Sequence, residues 1–187
     1  MARTKYGKLI TTNREQPEGP PEWFDKVPRD PASGQIVTWL DADVIPGAFY
    51  YESFMALKPT IEGSYNDPPQ IHDDWDEVIG VYGTNPADPG RLFGEVQLGL
   101  GDEIHSLTRS CAVFVPRGLQ HGPLTIKKVT TPIILVTAGN SPKYIQRLPH
   151  GWEKGITSTV KAPKRAKLPV AKAPGTKKPP ARTQGVK

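Results

Sequence analysis

The chain is poor in sulfur and has no long apolar run. It holds one cysteine, Cys111, and two methionines in 187 residues. A lone cysteine excludes an intramolecular disulfide and fits a reducing compartment, and its apolar neighbours predict a small buried side chain rather than a nucleophile. No apolar segment approaches the ~20 residues that cross a membrane, and the first residues lack the apolar core of a secretory signal. We therefore expect a cytoplasmic protein without a membrane partner.

Acidic residues are missing from the C-terminal end of the chain. Residues 161–187 hold seven lysines, two arginines and five prolines. Without these nine cations, 15 basic residues stand against 19 acidic ones, so residues 1–160 are mildly acidic. The tail has too little apolar surface to offset its ordering entropy, which predicts disorder over residues 153–187. Its charge predicts weak, non-specific nucleic-acid binding; the alternative is a solubilising extension without a partner.

Convincing amphipathic helices are also missing, and short strand-like runs take their place. Five prolines make residues 1–33 an irregular N-terminal arm. Residues 34–152 then form one all-β domain, a sandwich or barrel of eight or nine strands separated by turn signals. Such domains often pair through exposed edges, so a homodimer is one expectation. The strands are predicted at residues 36–40, 48–57, 78–82, 92–98, 104–107, 111–115, 124–129 and 132–136.

Two separated segments carry the residues that suit a metal ion. His72 and Glu77 lie in the first segment, and His121 lies in the second. Two imidazoles and a carboxylate are the ligands that a borderline divalent transition metal prefers. Side chains alternate along a strand, so Gln70 points the same way as His72 and offers an amide oxygen. We expect one metal site formed by these residues inside the barrel.

The first segment resembles the first motif of the cupin superfamily, which reads roughly G-x5-H-x-H-x(3,4)-E-x6-G. His72 matches its second histidine, and Glu77 follows after four residues, as the motif allows. Gln70 stands in place of the first histidine, and Gly63 is one residue away from the expected glycine. The second motif, roughly G-x5-P-x-G-x2-H-x3-N, has its own counterpart further along the chain.

That counterpart keeps Pro116, Gly118 and His121 at the spacing of the motif, while Ser110 and Thr125 replace its terminal glycine and asparagine. The resemblance covers about residues 34–145, and the two motifs occur in the family's order. It implies a single small cupin jelly-roll barrel with a divalent metal at its open end. It also implies that the reaction is that of an oxygenase, an isomerase or a lyase, without choosing among the three.

Several residues have more than one reading. Gln70 is either a fourth ligand or an outer residue that hydrogen-bonds a ligand or a metal-bound water. Glu77 is a ligand with a second candidate role as a catalytic base. His105 either faces the same cavity or faces solvent, and Asp74 is a ligand only if it pairs with His72 in a shifted register. Five aromatic side chains have two interpretations, since each either lines a substrate pocket or belongs to the core. They are Trp39, Tyr51, Phe54, Trp75 and Phe114.

Three functions are consistent with these features. The first is a metal-dependent enzyme acting on a small organic molecule, with Fe, Mn, Ni or Zn as the metal. The second is a non-catalytic cupin that binds a small ligand or regulates another process, since the first histidine of the motif is replaced. The third, which the tail alone favours, is association with nucleic acid.

Overall fold

The computed structural model describes residues 5–17, 33–60 and 67–150. These residues form eight strands and a single 3-10 turn at Gly7–Leu9, and they contain no α-helix. None of the described helical segments is long and apolar enough to cross a membrane. The strands are β1 (Gly34–Leu40), β2 (Tyr50–Ala56), β3 (Glu77–Gly83), β4 (Arg91–Leu100), β5 (Glu103–Arg109), β6 (Cys111–Val115), β7 (His121–Val129) and β8 (Ile133–Gly139).

The strands form two antiparallel sheets, which confirms the all-β jelly roll expected from the sequence. One sheet has five strands in the order β1-β2-β8-β3-β6, and the other has three in the order β5-β4-β7. Strands that are distant in the chain are therefore neighbours in space, as the crossing connections of a jelly roll require. This arrangement brings the start of β3 and the start of β7 to the same end of the barrel.

The two sheets enclose an apolar core. On β4 the alternating residues Leu92, Val96 and Leu98 are buried, as their spacing predicts, and they pack in one cluster with Ile79 and Val81 of β3. Cys111 packs at the edge of this cluster, and burial raises the pKa of its thiol. This core fixes the positions of β3 and β7, whose first residues lie at the polar end of the barrel.

The segment before β3 differs from the expected strand. It makes isolated bridges, from Asp67 to Leu124, from Gln70 to His121 and from Ile71 to Arg147. Pro68 and Pro69 separate the first two bridges and have no backbone N–H to donate, so no continuous ladder joins them. The alternation assumed for Gln70 and His72 therefore belongs to a bridged segment that is not one of the eight strands.

Some of the predicted features lie outside the described residues. These are the upstream motif glycine, Gly63, most of the N-terminal arm and the basic tail.

Candidate metal centre

Three buried side chains converge at one end of the barrel. Glu77 is the first residue of β3, His121 is the first residue of β7, and His72 comes from the bridged segment. Their exposed fractions are 0%, 1% and 2%. The Glu77 Oε2 atom lies 2.9 Å from His121 Nε2 and 3.5 Å from His72 Nε2. One ligand atom from each residue falls within 4.8 Å of the others, which is close enough to share a metal ion.

The other nitrogen of each imidazole fixes which nitrogen faces this centre. His72 Nδ1 lies 2.8 Å from the Ile145 carbonyl oxygen, and His121 Nδ1 lies 3.1 Å from the Leu119 carbonyl oxygen. A carbonyl only accepts, so both Nδ1 atoms carry the proton. In a neutral ring each Nε2 then presents a lone pair to the centre. A backbone carbonyl behind a metal-binding histidine orients the ring in this same way.

No group in the described part of the chain satisfies these atoms. Among the described residues, both Nε2 atoms and both oxygens of Glu77 are buried without a hydrogen-bond partner, although His121 Nε2 and Glu77 Oε2 are close. Burial alone would raise the pKa of Glu77, but hydrogen bonds and charge from His121 and His72, when a ring carries a proton on Nε2, lower that pKa below its ordinary value. With neither Nε2 protonated, an ionised carboxylate and the two lone pairs repel. A divalent cation between them would remove that repulsion, so the donor set fits a metal.

The turn between β6 and β7 holds the two motifs together. The backbone N–H of Gly118 donates to the His72 carbonyl at 2.7 Å, and its φ of 79° is a conformation that glycine adopts readily. Gln70 and His121 exchange two backbone hydrogen bonds, of 2.8 and 3.0 Å. Asp76 accepts from both the backbone and the guanidinium of Arg117. These contacts lower the pKa of Asp76 to about 2.

An aromatic cluster covers the centre on the side away from the apolar core. The Trp75 ring stacks on His72 with centroids 3.8 Å apart, and its Nε1 donates to the same Ile145 carbonyl that His72 uses. Tyr50 packs on Trp75 and on Trp39. The sequence therefore forms a rigid aromatic wall that holds the His72 ring from its face and from its edge.

Gln70 lies between this wall and His121. It is 4% exposed, and its side-chain oxygen accepts a hydrogen bond of 2.6 Å from the Tyr144 hydroxyl. Burial and the charges of nearby carboxylates, including Glu77, raise the pKa of Tyr144 well above its ordinary value, so the hydroxyl keeps its proton. A metal ligated by Gln70 would have to share this oxygen with Tyr144. Ligation by Gln70 stays a prediction.

The structure places Trp75 against His72 and Trp39 in the aromatic cluster beside it, and it leaves the other candidates elsewhere. His105 lies on β5, partly exposed, with Nε2 3.1 Å from a carboxylate oxygen of Glu103. Asp74 is exposed and is not part of the three-residue cluster. Phe54 packs against the apolar core. Tyr51 and Phe114 are exposed on the outer face of the five-stranded sheet, 36% and 64% respectively.

Sequence reasoning missed three groups that contact the centre. Tyr50 was overlooked because it stands beside Tyr51, and the pattern did not say which of the two tyrosines points inward. Tyr144 lies 5.5 Å from the His72 ring, between centroids, but comes after both motifs. The Ile145 carbonyl is a backbone group, which no residue-type pattern reveals. Along β2 the buried residues are Tyr50, Ser53 and Ala56, a spacing of three that alternation along a strand does not predict.

A small cavity lies on the outer side of the segment that follows β8. Its volume is about 300 Å³, and Ile71, Trp75 and Ile145 contribute to its walls. The Arg147 guanidinium forms a two-bond ion pair with Asp73 at its rim.

No protein-family model matches the sequence, and no curated protein sequence matches it. Solved structures of cupin-fold proteins do match. A recombinant oxalate oxidase in complex with glycolate is 18% identical, with a TM-score of 0.47, over 75% of this chain and 63% of that one. The chain thus spans less than two thirds of that enzyme.

Two further matches are to shorter chains. An uncharacterised conserved protein with a double-stranded β-helix domain, from Klebsiella pneumoniae, is 12% identical, with a TM-score of 0.42, over 66% of this chain and 91% of that one. The polyketide cyclase RemF from Streptomyces resistomycificus is 19% identical, with a TM-score of 0.41, over 66% of this chain and 80% of that one. At these identities the function has to be argued from the residues of the chain itself.

Proposed function

We propose that the protein binds one divalent transition metal through His72, Glu77 and His121 and acts with it as an enzyme on a small organic molecule. The observation that carries the proposal is the meeting of two imidazole Nε2 atoms and the Glu77 carboxyl group, all buried and without a hydrogen-bond partner among the described residues. Fe, Mn, Ni and Zn all accept such ligands. When bound, the metal would supply a Lewis acid that orients and polarises an oxygen of the substrate.

The three ligands leave coordination positions open, which distinguishes this set from a closed structural site. The protein supplies the orientation of the ligands through the Ile145 and Leu119 carbonyls. The aromatic wall of Trp75, Tyr50 and Tyr144 keeps water from one side. Because the centre is so enclosed, a small substrate fits the proposal better than a large one. The candidate reactions for such a site are those of an oxygenase, an isomerase or a lyase.

A non-catalytic, ligand-binding role is the second candidate. The almost complete burial of the three ligands favours it, since a substrate needs a path to the metal. The two candidates differ in what bound metal does: an enzyme turns over a substrate, whereas a binding module holds a ligand unchanged. Both depend on the metal, so the metal site is tested first.

Replacing His121 with alanine tests the site. The variant removes one of three ligands, so its metal affinity should fall by more than the roughly 10–100-fold that loss of an outer hydrogen bond produces. The measurement is elemental analysis of protein purified without chelator, followed by titration of the metal-free protein with Zn(II) and Fe(II). We expect about one metal per chain in the unaltered protein.

His105→Ala is the matched control, because it removes a histidine that lies outside the cluster and pairs with Glu103 at the surface. Its metal content should equal that of the unaltered protein. Equal metal content in His121→Ala and in the control would overturn the assignment of the ligands.

A further inference from the structure

Gln146 is the one residue outside the metal-binding triad, in the part of the chain that the structure describes, whose side-chain polar atoms are buried without a partner. Both of its amide atoms, Oε1 and Nε2, are buried, and neither makes a hydrogen bond. The other atoms in this condition are the Nε2 atoms of His72 and His121 and the two carboxylate oxygens of Glu77. A buried donor or acceptor without a partner costs the free energy of removing it from water, so this amide is unfavourable unless a ligand pairs with it.

The pairing of two segments places Gln146 beside His72. Ile71 and Arg147 exchange two backbone hydrogen bonds, of 2.9 and 3.0 Å, in an antiparallel bridge. In an antiparallel pair, the residue that follows one partner lies opposite the residue that precedes the other, and opposite residues share a face. Gln146 therefore lies opposite His72, on the same face.

The outward side chains agree with this register. Arg147 forms its two-bond ion pair with Asp73, and both side chains are about half exposed. Ile145 is 59% exposed. The residues on both sides of Gln146 thus point outward, and side chains alternate along an extended segment. Gln146 therefore points inward, as the buried Tyr144 does two residues earlier.

The Gln146 amide does not face the outer cavity. The residue contributes to the wall of that cavity of about 300 Å³, together with Ile71 and Ile145. An amide atom that faced the cavity would be accessible to solvent, but both amide atoms are buried. The amide is therefore on the inner side of its segment, the side on which His72 meets Glu77 and His121.

The two glutamines near the metal centre differ in what their amides are bonded to. The Gln70 oxygen already accepts the Tyr144 hydroxyl hydrogen at 2.6 Å. Gln146 has both its acceptor oxygen and its donor nitrogen uncommitted. An amide in this condition is matched by a group that carries an acceptor and a donor on neighbouring atoms, because such a group pairs with both arms at once.

We infer that Gln146 is a specificity residue: its Nε2 donates to, and its Oε1 accepts from, a small ligand that is bound at the metal and carries an acceptor beside a donor. This inference rests on the proposed metal site and narrows its substrate class. Carboxamides, hydroxamates and carboxylates with an adjacent hydroxyl group fit this description. A simple carboxylate offers acceptors only and would leave Oε1 unpaired.

Gln146→Met tests the state of the amide in metal-free protein. Methionine keeps the length of the side chain and removes both polar atoms. Because those atoms have no partner in the fold, the equilibrium constant for unfolding should fall by about fivefold or more, measured by urea unfolding. Gln97→Met is the matched control. It makes the same substitution at a half-buried position of β4, and its unfolding constant should stay within about twofold of that of the unaltered protein.

The ligand is tested with Co(II)-loaded protein and two hydroxamates, whose binding is followed by the visible absorption of the cobalt. Acetohydroxamate carries an N–H donor beside its oxygens, and N-methylacetohydroxamate lacks that donor. The unaltered protein should prefer acetohydroxamate by about fivefold to tenfold, as expected for one hydrogen bond. The preference should fall to near one in Gln146→Met and stay unchanged in Gln97→Met. The affinity for Co(II) alone should change far less in Gln146→Met than in His121→Ala.

Four results would overturn the inference. A loss of stability in metal-free Gln146→Met would show that the amide is paired within the fold. A cobalt-loaded protein without a preference for acetohydroxamate, or with a preference that Gln146→Met retains, would remove the proposed hydrogen bond and leave the metal site standing. Loss of Co(II) from Gln146→Met to the extent seen in His121→Ala would make Gln146 a ligand. Failure of the unaltered protein to bind Co(II) would overturn the proposed function as well, so the two failures are distinguishable.

Discussion

Two imidazole nitrogens and a carboxylate face one another where water scarcely reaches. Their orientation is set by groups that are not ligands: the Ile145 carbonyl holds His72, and the Leu119 carbonyl holds His121. The Trp75 ring then presses on His72 from its face. At the scale of single residues, the site is therefore only as well ordered as the neighbours that orient its ligands.

Gly139 leaves the space that Trp75 occupies. A Cβ at this position would lie 2.1 Å from the Trp75 ring. Gly139→Ala should therefore destabilise the protein by about 1–3 kcal/mol through overpacking, measured by urea unfolding, and should lower metal affinity because Trp75 supports His72. The control is Gly80→Ala on the outer face of the same sheet, where the three atoms nearest to the added Cβ all belong to the Tyr82 side chain.

Tyr82 is 40% exposed and can turn away, so the control should lose less stability. Equal losses of unfolding free energy in the two variants would show that the close contact between position 139 and Trp75 is not what destabilises Gly139→Ala.

The meeting of His72, Glu77 and His121 was predictable from the sequence, because their residue types suit a metal and their positions match the two motifs that the chain resembles. The inward-facing tyrosine was not. Tyr50 and Tyr51 are adjacent and chemically alike, and a shift of one residue along a strand exchanges the two faces of a sheet. Tyr144 and Gln70 meet only in three dimensions, since 74 positions separate them. Pairing of that kind leaves no local pattern.

The turn that opens β7 links the two halves of the site. Gly118 binds the backbone of His72, and Arg117 binds Asp76, one residue before Glu77. A single turn thus fixes His121 relative to both other ligands. The Pro-x-Gly spacing is typical of a turn, but the docking of that turn onto the first segment is visible only in the structure.

Asp76 should make the stability of this link depend on pH. Its pKa falls from 3.8 to about 2 because Arg117 hydrogen-bonds the ionised form, first through its side chain and then through its backbone. A carboxyl whose folded pKa is depressed stabilises the fold above its unfolded pKa, and that stability is lost as the pH falls through the folded value. The stability difference between the unaltered protein and Asp76→Asn should therefore be full at neutral pH and shrink between about pH 4 and about 2.

The measurement is urea unfolding of both proteins across that pH range. Asp74→Asn is the control, because Asp74 is an exposed neighbour outside the Arg117 ion pair. A difference for Asp76→Asn that stays constant down to pH 2 would contradict the assignment.

At the scale of the whole molecule, the jelly roll brings together residues that lie far apart in the chain. Alternating buried residues on the strands predicted the two sheets, because burial of one face imposes a period of two. The short bridged segment before β3 was not predictable as such, because its pairing depends on partners at His121 and Arg147. The basic tail lies outside the described residues, and nucleic-acid binding by it stays a prediction.

Metal binding should stabilise the entire fold, since the ligands come from three separate parts of the chain. At a free metal concentration of 100 times the dissociation constant, the free energy of unfolding should rise by about 2.7 kcal/mol. Thermal unfolding of metal-free protein with and without added metal measures this rise. His121→Ala should show no comparable rise at the same metal concentration, and an equal rise would point to binding elsewhere.

The most direct measurement is anomalous X-ray scattering from a crystal of the metal-loaded protein, recorded at the absorption edge of the metal. The account predicts one strong peak bounded by His72 Nε2, His121 Nε2 and a carboxylate oxygen of Glu77, at distances of about 2.0–2.2 Å. A loaded crystal without a peak between these atoms, or with its strongest peak elsewhere, would contradict the central claim.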